Sequence, residues 1–241
     1  MYAFRTSFGP ADLCFTDRFG GVSRAPYDEL NLSIAGDDDQ AAKAENHRLL
    51  MADFAPSDVL CDLYQVHGAD VVVVEGRPTS ARPHADGMVC AQPGVTLIVR
   101  AADCVPVLFL APNQSVIGAV HAGRPGLVAG IVPATVRSMR DLGAGKIQAW
   151  IGPHVCGRCY EVPAQMRAEV AAKVPAAYGE TSWGTPSVDL GAGIRAQLED
   201  LGVSVHDQSQ CTRESTRLFS YRRDGEHAGR HAGLIRLREA P

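Results

Sequence analysis

Between residues 59 and 121 the chain contains six short apolar segments that are rich in β-branched residues. We predict that they are buried strands, at residues 59–66, 70–75, 85–90, 95–102, 105–111 and 115–121. Most gaps between them are too short to hold a helix, which a parallel connection usually needs. The spacing therefore predicts antiparallel or mixed sheets rather than a doubly wound parallel sheet.

Helical patterns flank this strand-rich region. Acidic residues precede an alanine- and leucine-rich helix predicted at 38–53, and Pro125 and Gly143 are suited to begin and end a helix at 125–142. Further elements are predicted as helices at 163–174 and 188–201 and as strands at 12–19, 147–151, 203–207, 217–221 and 232–237. Because the sequence shows no repeat, low-complexity segment or linker, we predict one α+β domain over residues 1–241, with mixed or antiparallel sheets and flanking helices.

Two histidines and one cysteine lie at the ends of predicted strands. His67 follows the first strand, Cys104 lies between the fourth and fifth, and His121 closes the sixth. If these strands are neighbours in a sheet, their ends bring the three side chains to one point. Two imidazoles and a thiolate form a suitable zinc ligand set with an open fourth position, as in catalytic sites. The ligands are far apart along the chain, unlike those of zinc fingers, so three ordinary core residues are the alternative.

The charge and the hydropathy pattern restrict the possible partners. A net charge of -4 and a sequence pI of about 6.0 argue against a general nucleic-acid binder, which needs a basic surface. No apolar run is long enough to cross a membrane, and the first residues lack the apolar core of a secretory signal. We therefore predict a cytoplasmic protein whose seven cysteines are reduced.

Three shorter motifs have a plain structural explanation beside a functional one. Cys156-Gly-Arg-Cys159 is a single CxxC pair, so we interpret both residues as ordinary reduced cysteines without a catalytic role. His121-Ala-Gly-Arg-Pro-Gly126 is a glycine-rich turn into a helix, and a helix N-terminus can receive an anion. Phe219-Ser-Tyr-Arg-Arg-Asp-Gly225 contains two arginines, whose guanidinium groups match phosphate, although a solvated turn explains it equally well.

An ordered set of segments resembles one protein family. The segments are Phe15-Thr-Asp-Arg-Phe-Gly-Gly-Val-Ser23, Leu30-Asn-Leu32, Gln65-Val-His-Gly68, Ala85-Asp-Gly87, Ala102-Asp-Cys-Val-Pro106, His121-Ala-Gly123, Gly152-Pro153, Cys159-Tyr-Glu-Val162, Val188-Asp-Leu190, Cys211-Thr212 and Phe219-Ser-Tyr-Arg-Arg-Asp-Gly225. They resemble the purine nucleoside phosphorylase family of YfiH-like proteins, formerly classed as laccase-domain or polyphenol oxidase proteins. Each motif alone is weakly specific, but the ordered set covers nearly the whole chain.

The resemblance implies an α+β fold related to that of cytotoxic-necrotising-factor-like cysteine hydrolases. It implies phosphorolysis of adenosine, inosine and methylthioadenosine, with a purine nucleoside and phosphate as the small-molecule partners, and hydrolytic deamination of adenosine. It also implies a metal, zinc rather than copper, on the residues expected to be catalytic: His67, Cys104 and His121. The candidate substrate-binding residues that follow from it are Arg18, Ser220, Arg222 and Arg223.

Two acidic residues near the expected metal ligands are further candidates. Deamination by zinc-activated water needs a general acid or base close by, and Asp86 is our candidate for it. Asp103 precedes Cys104 and could either support the metal site or cap a turn.

The chain departs from the family pattern at three places. Arg124-Pro125 follows His-Ala-Gly where the family usually has Trp-Arg, which affects the expected substrate preference rather than the metal. Ile194 replaces a usual asparagine. Glu214 stands where a second cysteine usually follows Cys211-Thr212, which argues against a second metal or redox centre there.

Three other functions remain open from the residues. A cysteine hydrolase would use Cys104 as nucleophile, with His67 or His121 as base and Asp86 or Asp103 to orient it. A copper-dependent polyphenol oxidase would need more clustered histidines than the sequence offers. A metal-stabilised interaction domain would bind a partner without turnover.

Overall fold

The computed structural model describes residues 1–76 and 82–239. Its strands are β1 Tyr2–Phe8, β2 Ala11–Thr16, β3 Val59–Cys61, β4 Val71–Val74, β5 Gly87–Cys90, β6 Val95–Ala101, β7 Val105–Ala111, β8 Val116–Ala122, β9 Gln148–Ile151, β10 Tyr178–Glu180, β11 Pro186–Val188, β12 Ser204–Asp207 and β13 His231–Leu237. Its helices are α1 Gln40–Phe54, α2 Arg124–Ala129, α3 Ile131–Asp141, α4 Ala164–Lys173, α5 Leu190–Asp200 and α6 Tyr221–Asp224. The α+β class predicted from the sequence is confirmed.

The strands form two main sheets and one small hairpin. The five-stranded sheet has the order β1-β2-β13-β6-β3, and the six-stranded sheet has the order β12-β9-β7-β8-β5-β4. Strand β8 is antiparallel to both β7 and β5, whereas β4 and β5, β3 and β6, and β9 and β12 are parallel pairs. The sheets are therefore mixed, as the short connections predicted.

Side-chain alternation along the strands builds four layers. In β6, Leu97 and Val99 enter the core between the sheets, while Ile98 faces α1 on the other side. In β7, Leu108 enters the same core between the sheets, while Phe109 faces the layer of α2 to α5. Because both faces of each sheet are covered, β6 and β7 consist mostly of apolar residues, which is why they were recognisable in the sequence.

The predicted helix at 125–142 is wrong as one element, because the chain divides it into α2 and α3. Gly130 lies between them with φ +86°, a left-handed conformation that glycine adopts without steric cost. Pro133 would remove a backbone hydrogen bond inside a continuous helix, but it is acceptable in the first turn of a new one. The break turns α2 across the end of β8, beside the predicted metal ligands.

The predicted strand at 217–221 is also wrong. Helix α6 begins there, with Ser220 as its N-cap, and the Ser220 hydroxyl accepts from the backbone N–H of Arg223. Strands β1, β10 and β11 were not predicted. Over residues 1–76 and 82–239, no helix is both long enough and apolar enough to cross a membrane.

Candidate active site

The ends of β7 and β8 and the loop between β3 and β4 bring together the three predicted ligands. In the β7–β8 ladder Val105 pairs with Ala122, so Cys104 and Gly123 lie opposite each other just beyond it. One ligand atom from each of His67, Cys104 and His121 lies within 4.8 Å of the others. The His67 Nε2 and Cys104 Sγ atoms are 3.8 Å apart, and the two imidazole rings meet edge to face. The structure thus has the juxtaposition that the sequence predicted.

Asp86 organises this cluster from the buried side. Its carboxylate accepts a hydrogen bond from His121 Nδ1 at 2.8 Å. It also accepts from the backbone N–H groups of Val66, His67 and Gly68 at 3.1, 3.0 and 2.7 Å. These bonds hold His67 at φ +61°, a conformation that is uncommon for a non-glycine residue.

The bonds to Asp86 also determine what each group can do. A proton on His121 Nδ1 leaves Nε2 as the lone-pair atom facing the cluster, which is how a carboxylate prepares a metal-binding histidine. Asp86 is fully buried. Four hydrogen bonds engage its two oxygens, so the geometry favours a positioning role over the general acid–base role expected from the sequence.

Electrostatics favour the thiolate form of Cys104. Burial alone would raise the pKa of the Cys104 thiol, but the charge of His121 and hydrogen bonds from His121 and His67 lower it to about 6. Burial would lower the pKa of His121, but the Cys104 thiolate and Asp86 raise it to about 9. The thiolate is therefore balanced by a positive charge, and a bound cation would take the place of that imidazolium proton.

The donor set fits zinc. Zinc accepts nitrogen from histidine at about 2.0–2.1 Å and sulfur from cysteine at about 2.3 Å, and three protein ligands leave a fourth position for substrate or water. Two nitrogens and one sulfur at the observed separations can reach one such ion. His67 is exposed while His121 is buried, so the open side of the cluster faces solvent.

Gly123 leaves the space in which these side chains meet. A Cβ atom built on Gly123 would lie 2.6 Å from His67 Cδ2 and 3.1 Å from Cys104 Sγ. The first distance is shorter than real Cβ contacts, and His67 is already held by Asp86. Any side chain at position 123 must therefore displace a ligand.

Gly123→Ala should consequently weaken metal binding by about 10–100-fold, the range typical of changes just outside the ligands. Competition with a chromophoric chelator measures it. Gly145→Ala is the matched control, because a Cβ there meets only the Gln114 side chain at 3.4 Å. Unchanged affinity in Gly123→Ala would show that the metal binds elsewhere.

Asp103 connects the cluster to a distant loop. It has φ +88°, and its Oδ1 accepts from the hydroxyls of Thr212 at 2.6 Å and Ser220 at 2.7 Å. Its Oδ2 accepts from the backbone N–H of Arg222 at 2.6 Å. The residue next to Cys104 is thereby fixed to both ends of the 212–222 loop.

The four predicted substrate-binding residues have different surroundings. Ser220 is buried and bonded to Asp103. Arg223 uses all five N–H groups, on the carbonyls of Thr212, Ser215 and Leu218 and on the Asp224 carboxylate. These contacts assign Ser220 and Arg223 to loop structure rather than to phosphate.

Arg18 and Arg222 are less completely engaged. Arg18 lies over the Phe219 ring and donates to the Asp28 backbone carbonyl and carboxylate. The Arg222 side chain is exposed and lies over the Tyr160 ring, 4.6 Å from its centroid. Of the predicted pair of arginines, only Arg222 retains unengaged N–H groups among the described residues.

Sequence analysis missed Arg230, which lies near the cluster. Burial lowers the pKa of Arg230 below its ordinary value, and the negative charges of Cys104 and Asp103 act against that shift. Its Nη1 donates to the Ala228 and Gly229 carbonyls at 2.6 and 2.9 Å, whereas no described residue accepts from Nε or Nη2. Arg222 and Arg223 were predicted as phosphate ligands because they are adjacent in a motif. Arg230 is a single arginine before β13, and no motif in the sequence marks it as a ligand.

Comparisons with known proteins identify the family. Residues 12–238 match the family described as multi-copper polyphenol oxidoreductase laccase. The chain belongs to this laccase-like family. The sequence-based resemblance is thereby confirmed.

Proteins similar to this chain carry enzyme names. A purine nucleoside phosphorylase of Streptomyces coelicolor is 53% identical over 98% of this chain and 100% of its own. One of Mycobacterium tuberculosis strain H37Rv is 44% identical over 91% of this chain and 89% of its own. These relatives support the prediction that the chain is an enzyme.

Two solved structures confirm the α+β fold. YlmD from Geobacillus stearothermophilus has a TM-score of 0.88 and 31% identity, covering 96% of this chain and 93% of that one. Hypothetical protein YfiH from Bacillus licheniformis has a TM-score of 0.86 and 26% identity, covering 95% and 93%.

Within the laccase-like family, the Arg124-Pro125 departure has a local explanation. Gly123 is the N-cap of α2 and Pro125 lies in its first turn, where a missing backbone N–H costs little. The departure changes the helix start beside the cluster and leaves the three ligands in place.

Proposed function

We propose that this chain is a zinc-dependent purine nucleoside phosphorylase that acts on adenosine, inosine and methylthioadenosine, and that it also deaminates adenosine. The observation that carries the proposal is the His67–Cys104–His121 cluster, with Asp86 fixing the tautomer of His121. The names of the relatives support the reaction class. The partners are then a purine nucleoside and phosphate.

Phosphorolysis replaces one bond by another at the ribose. A phosphate oxygen attacks C1′, the C1′–N9 bond breaks, and the electron pair leaves with the purine, which takes up a proton. The protein must position an anion beside the sugar and stabilise charge on the departing base. Zinc held by His67, Cys104 and His121 would supply Lewis acidity and lower the pKa of water that it binds.

The residues divide these tasks. His67, Cys104 and His121 hold the metal, while Asp86 and Asp103 hold the backbone and rings of that set in place. Arg230 is the proposed phosphate ligand, because its Nε and Nη2 donors form the bidentate edge of a guanidinium near the cluster. Arg222 is the second candidate.

Arg230→Lys should raise the KM for phosphate by about 10-fold and leave the KM for nucleoside nearly unchanged. Lysine keeps the positive charge but cannot donate two parallel hydrogen bonds as a guanidinium does. Arg222→Lys is measured beside it, and Arg137→Lys on the exposed face of α3 is the control. Arg223→Lys should instead lower stability, because its five bonds hold the loop. Equal KM values for phosphate in Arg230→Lys and the parent protein would remove Arg230 from this role.

An anaerobic assay with inosine or adenosine, with phosphate present or omitted, tests the function. Free base and ribose 1-phosphate should form only with phosphate, and ammonia from adenosine should form without it. Base release that is equal in both arms, or absent with every purine nucleoside, would overturn the phosphorylase proposal.

A cysteine hydrolase is the second candidate, because Cys104, His121 and Asp86 lie in the order nucleophile, base and orienting carboxylate. It predicts turnover without metal and without phosphate. An oxidase predicts dioxygen consumption. Over residues 1–76 and 82–239, the two clusters able to hold a metal contain only two histidines, too few for a multicopper centre.

A further inference from the structure

A second cluster of metal-binding side chains lies outside the candidate active site. It consists of Cys156, Cys159, Cys211 and Glu214, whose ligand atoms all lie within 4.8 Å of one another. Cys159 Sγ is 3.3 Å from Glu214 Oε1. All three cysteines are unpaired. A structural zinc site needs a second pair of ligands beside the single CxxC motif, and Cys211 and Glu214 supply it in space.

Two turns of the same spacing present these four side chains. In the first, the backbone N–H groups of Cys159 and Tyr160 donate to the Cys156 carbonyl at 2.9 and 3.0 Å. In the second, Ser215 N–H donates to the Cys211 carbonyl at 3.0 Å. Each turn thus offers a ligand at its first and fourth positions, the spacing that closed zinc sites draw from a CxxC turn.

A short backbone ladder places the two turns side by side. His154 and Cys211 form a parallel bridge, with His154 N–H donating to the Gln210 carbonyl at 3.1 Å. Thr212 N–H donates to the His154 carbonyl at 3.0 Å. Backbone hydrogen bonds therefore hold the two turns, and with them the four side chains, next to each other.

We propose that Cys156, Cys159, Cys211 and Glu214 bind a second divalent, thiophilic metal ion of the zinc class in a closed structural site. In a tetrahedral site with zinc–sulfur bonds of about 2.3 Å, sulfur atoms are separated by about 3.8 Å. The four ligand atoms, which all lie within 4.8 Å of one another, are close to that spacing. With four protein ligands the ion has no open position, so the site is structural and not catalytic.

Glu214 supports this assignment instead of weakening it. A carboxylate is a zinc ligand, so its replacement of a cysteine changes the donor atom but not the number of ligands. Three thiolates, one carboxylate and a dication leave a net negative charge. Arg213 and Arg222 line the adjoining cavity and can balance it.

The site would brace the loop that holds Asp103. Cys211 and Glu214 flank Thr212, and Ser220 and Arg222 lie at the far end of the same loop. A metal bridging the two turns would fix Thr212 to the 156–159 segment. The inference does not depend on the proposed reaction, because it concerns stability and metal content.

Cobalt substitution in anaerobic, reduced protein tests the site, because each cobalt–thiolate bond contributes charge-transfer absorption. In Cys104→Ala the active-site cluster has no sulfur ligand, so absorption can come only from the second site. We expect about one equivalent of cobalt with three-thiolate absorption in Cys104→Ala, and about two equivalents in the unaltered protein. No thiolate absorption in Cys104→Ala, or one equivalent in the unaltered protein, would overturn the proposal.

Further variants identify the ligands. On the Cys104→Ala background, Cys211→Ser should lower the charge-transfer absorption by about one third and weaken binding, since one of three thiolates is lost. Glu214→Cys should add a fourth thiolate and raise the absorption. Cys90 is a buried cysteine outside both clusters, so Cys90→Ala should leave the charge-transfer absorption unchanged. A thiol titration of the denatured, freshly isolated protein that found a disulfide between two of the three cysteines would also refute the site.

Discussion

Replacing Cys104 by alanine should remove one metal ion and phosphorolysis together. Cys104 is the only anionic member of a cluster whose other donors are two imidazoles. Changes that merely reorient a ligand cost about 10–100-fold in metal affinity or activity, so loss of the ligand itself should exceed that range. Elemental analysis after dialysis and initial rates with saturating phosphate measure both effects. Unchanged metal content with normal rates would refute the assignment of Cys104.

The variant Cys104→Asp distinguishes a metal-ligand role of Cys104 from a nucleophilic role. A carboxylate is also a zinc ligand, and two histidines with one carboxylate form a known catalytic set. If Cys104 only holds zinc, this variant should retain metal and measurable turnover, whereas a cysteine nucleophile predicts none. Cys90→Ala serves as the control for loss of a buried thiol.

The second large effect is expected on stability, from Asp103→Ala. It would leave three donors without an acceptor: the hydroxyls of Thr212 and Ser220 and the backbone N–H of Arg222. Each unsatisfied buried donor costs about 1–3 kcal/mol, so the free energy of unfolding should fall by about 3–5 kcal/mol. Urea unfolding with zinc in excess measures it.

Two further variants test whether the lost hydrogen bonds of Asp103 cause the loss of stability. Asp103→Asn keeps one acceptor oxygen and suits the left-handed backbone, so it should cost less than alanine. Asp200→Ala, at an exposed position near the end of α5, should change stability by less than about 0.5 kcal/mol. A loss below about 1 kcal/mol in Asp103→Ala would mean that the loop does not depend on Asp103.

The local sequence pattern correctly predicted the strands that are buried on both faces. Strands β6 to β8 are buried on both faces and read as apolar runs, and Cys104 and His121 lie at their ends as predicted, whereas His67 lies in the loop between β3 and β4. The segment at 217–221 also looked like a strand. Ser220 instead caps α6 and donates a hydrogen bond to Asp103, which lies 117 positions away. The local sequence pattern cannot predict a hydrogen bond to a residue so distant in the chain.

The rest of the site depends on contacts between distant segments. Arg223 resembled a phosphate ligand because its sequence neighbours suggested one, yet it is bonded to three carbonyls of its own loop. Asp86 resembled a general base, yet it is enclosed by the 66–68 backbone and His121. In both cases residue type indicated which chemistry was possible, and only tertiary packing determined which donors and acceptors were already engaged.

Strand β13 lies in the interior of the five-stranded sheet, paired on one side with β2 and on the other with β6. During synthesis on the ribosome, residues 11–16 and 95–101 therefore emerge long before the strand that joins them. Until residues 231–237 are available, both strands present apolar faces and unpaired backbone edges, which favour association with other chains. Completion of this sheet must be among the last steps of folding, and the nascent chain must remain unaggregated until then.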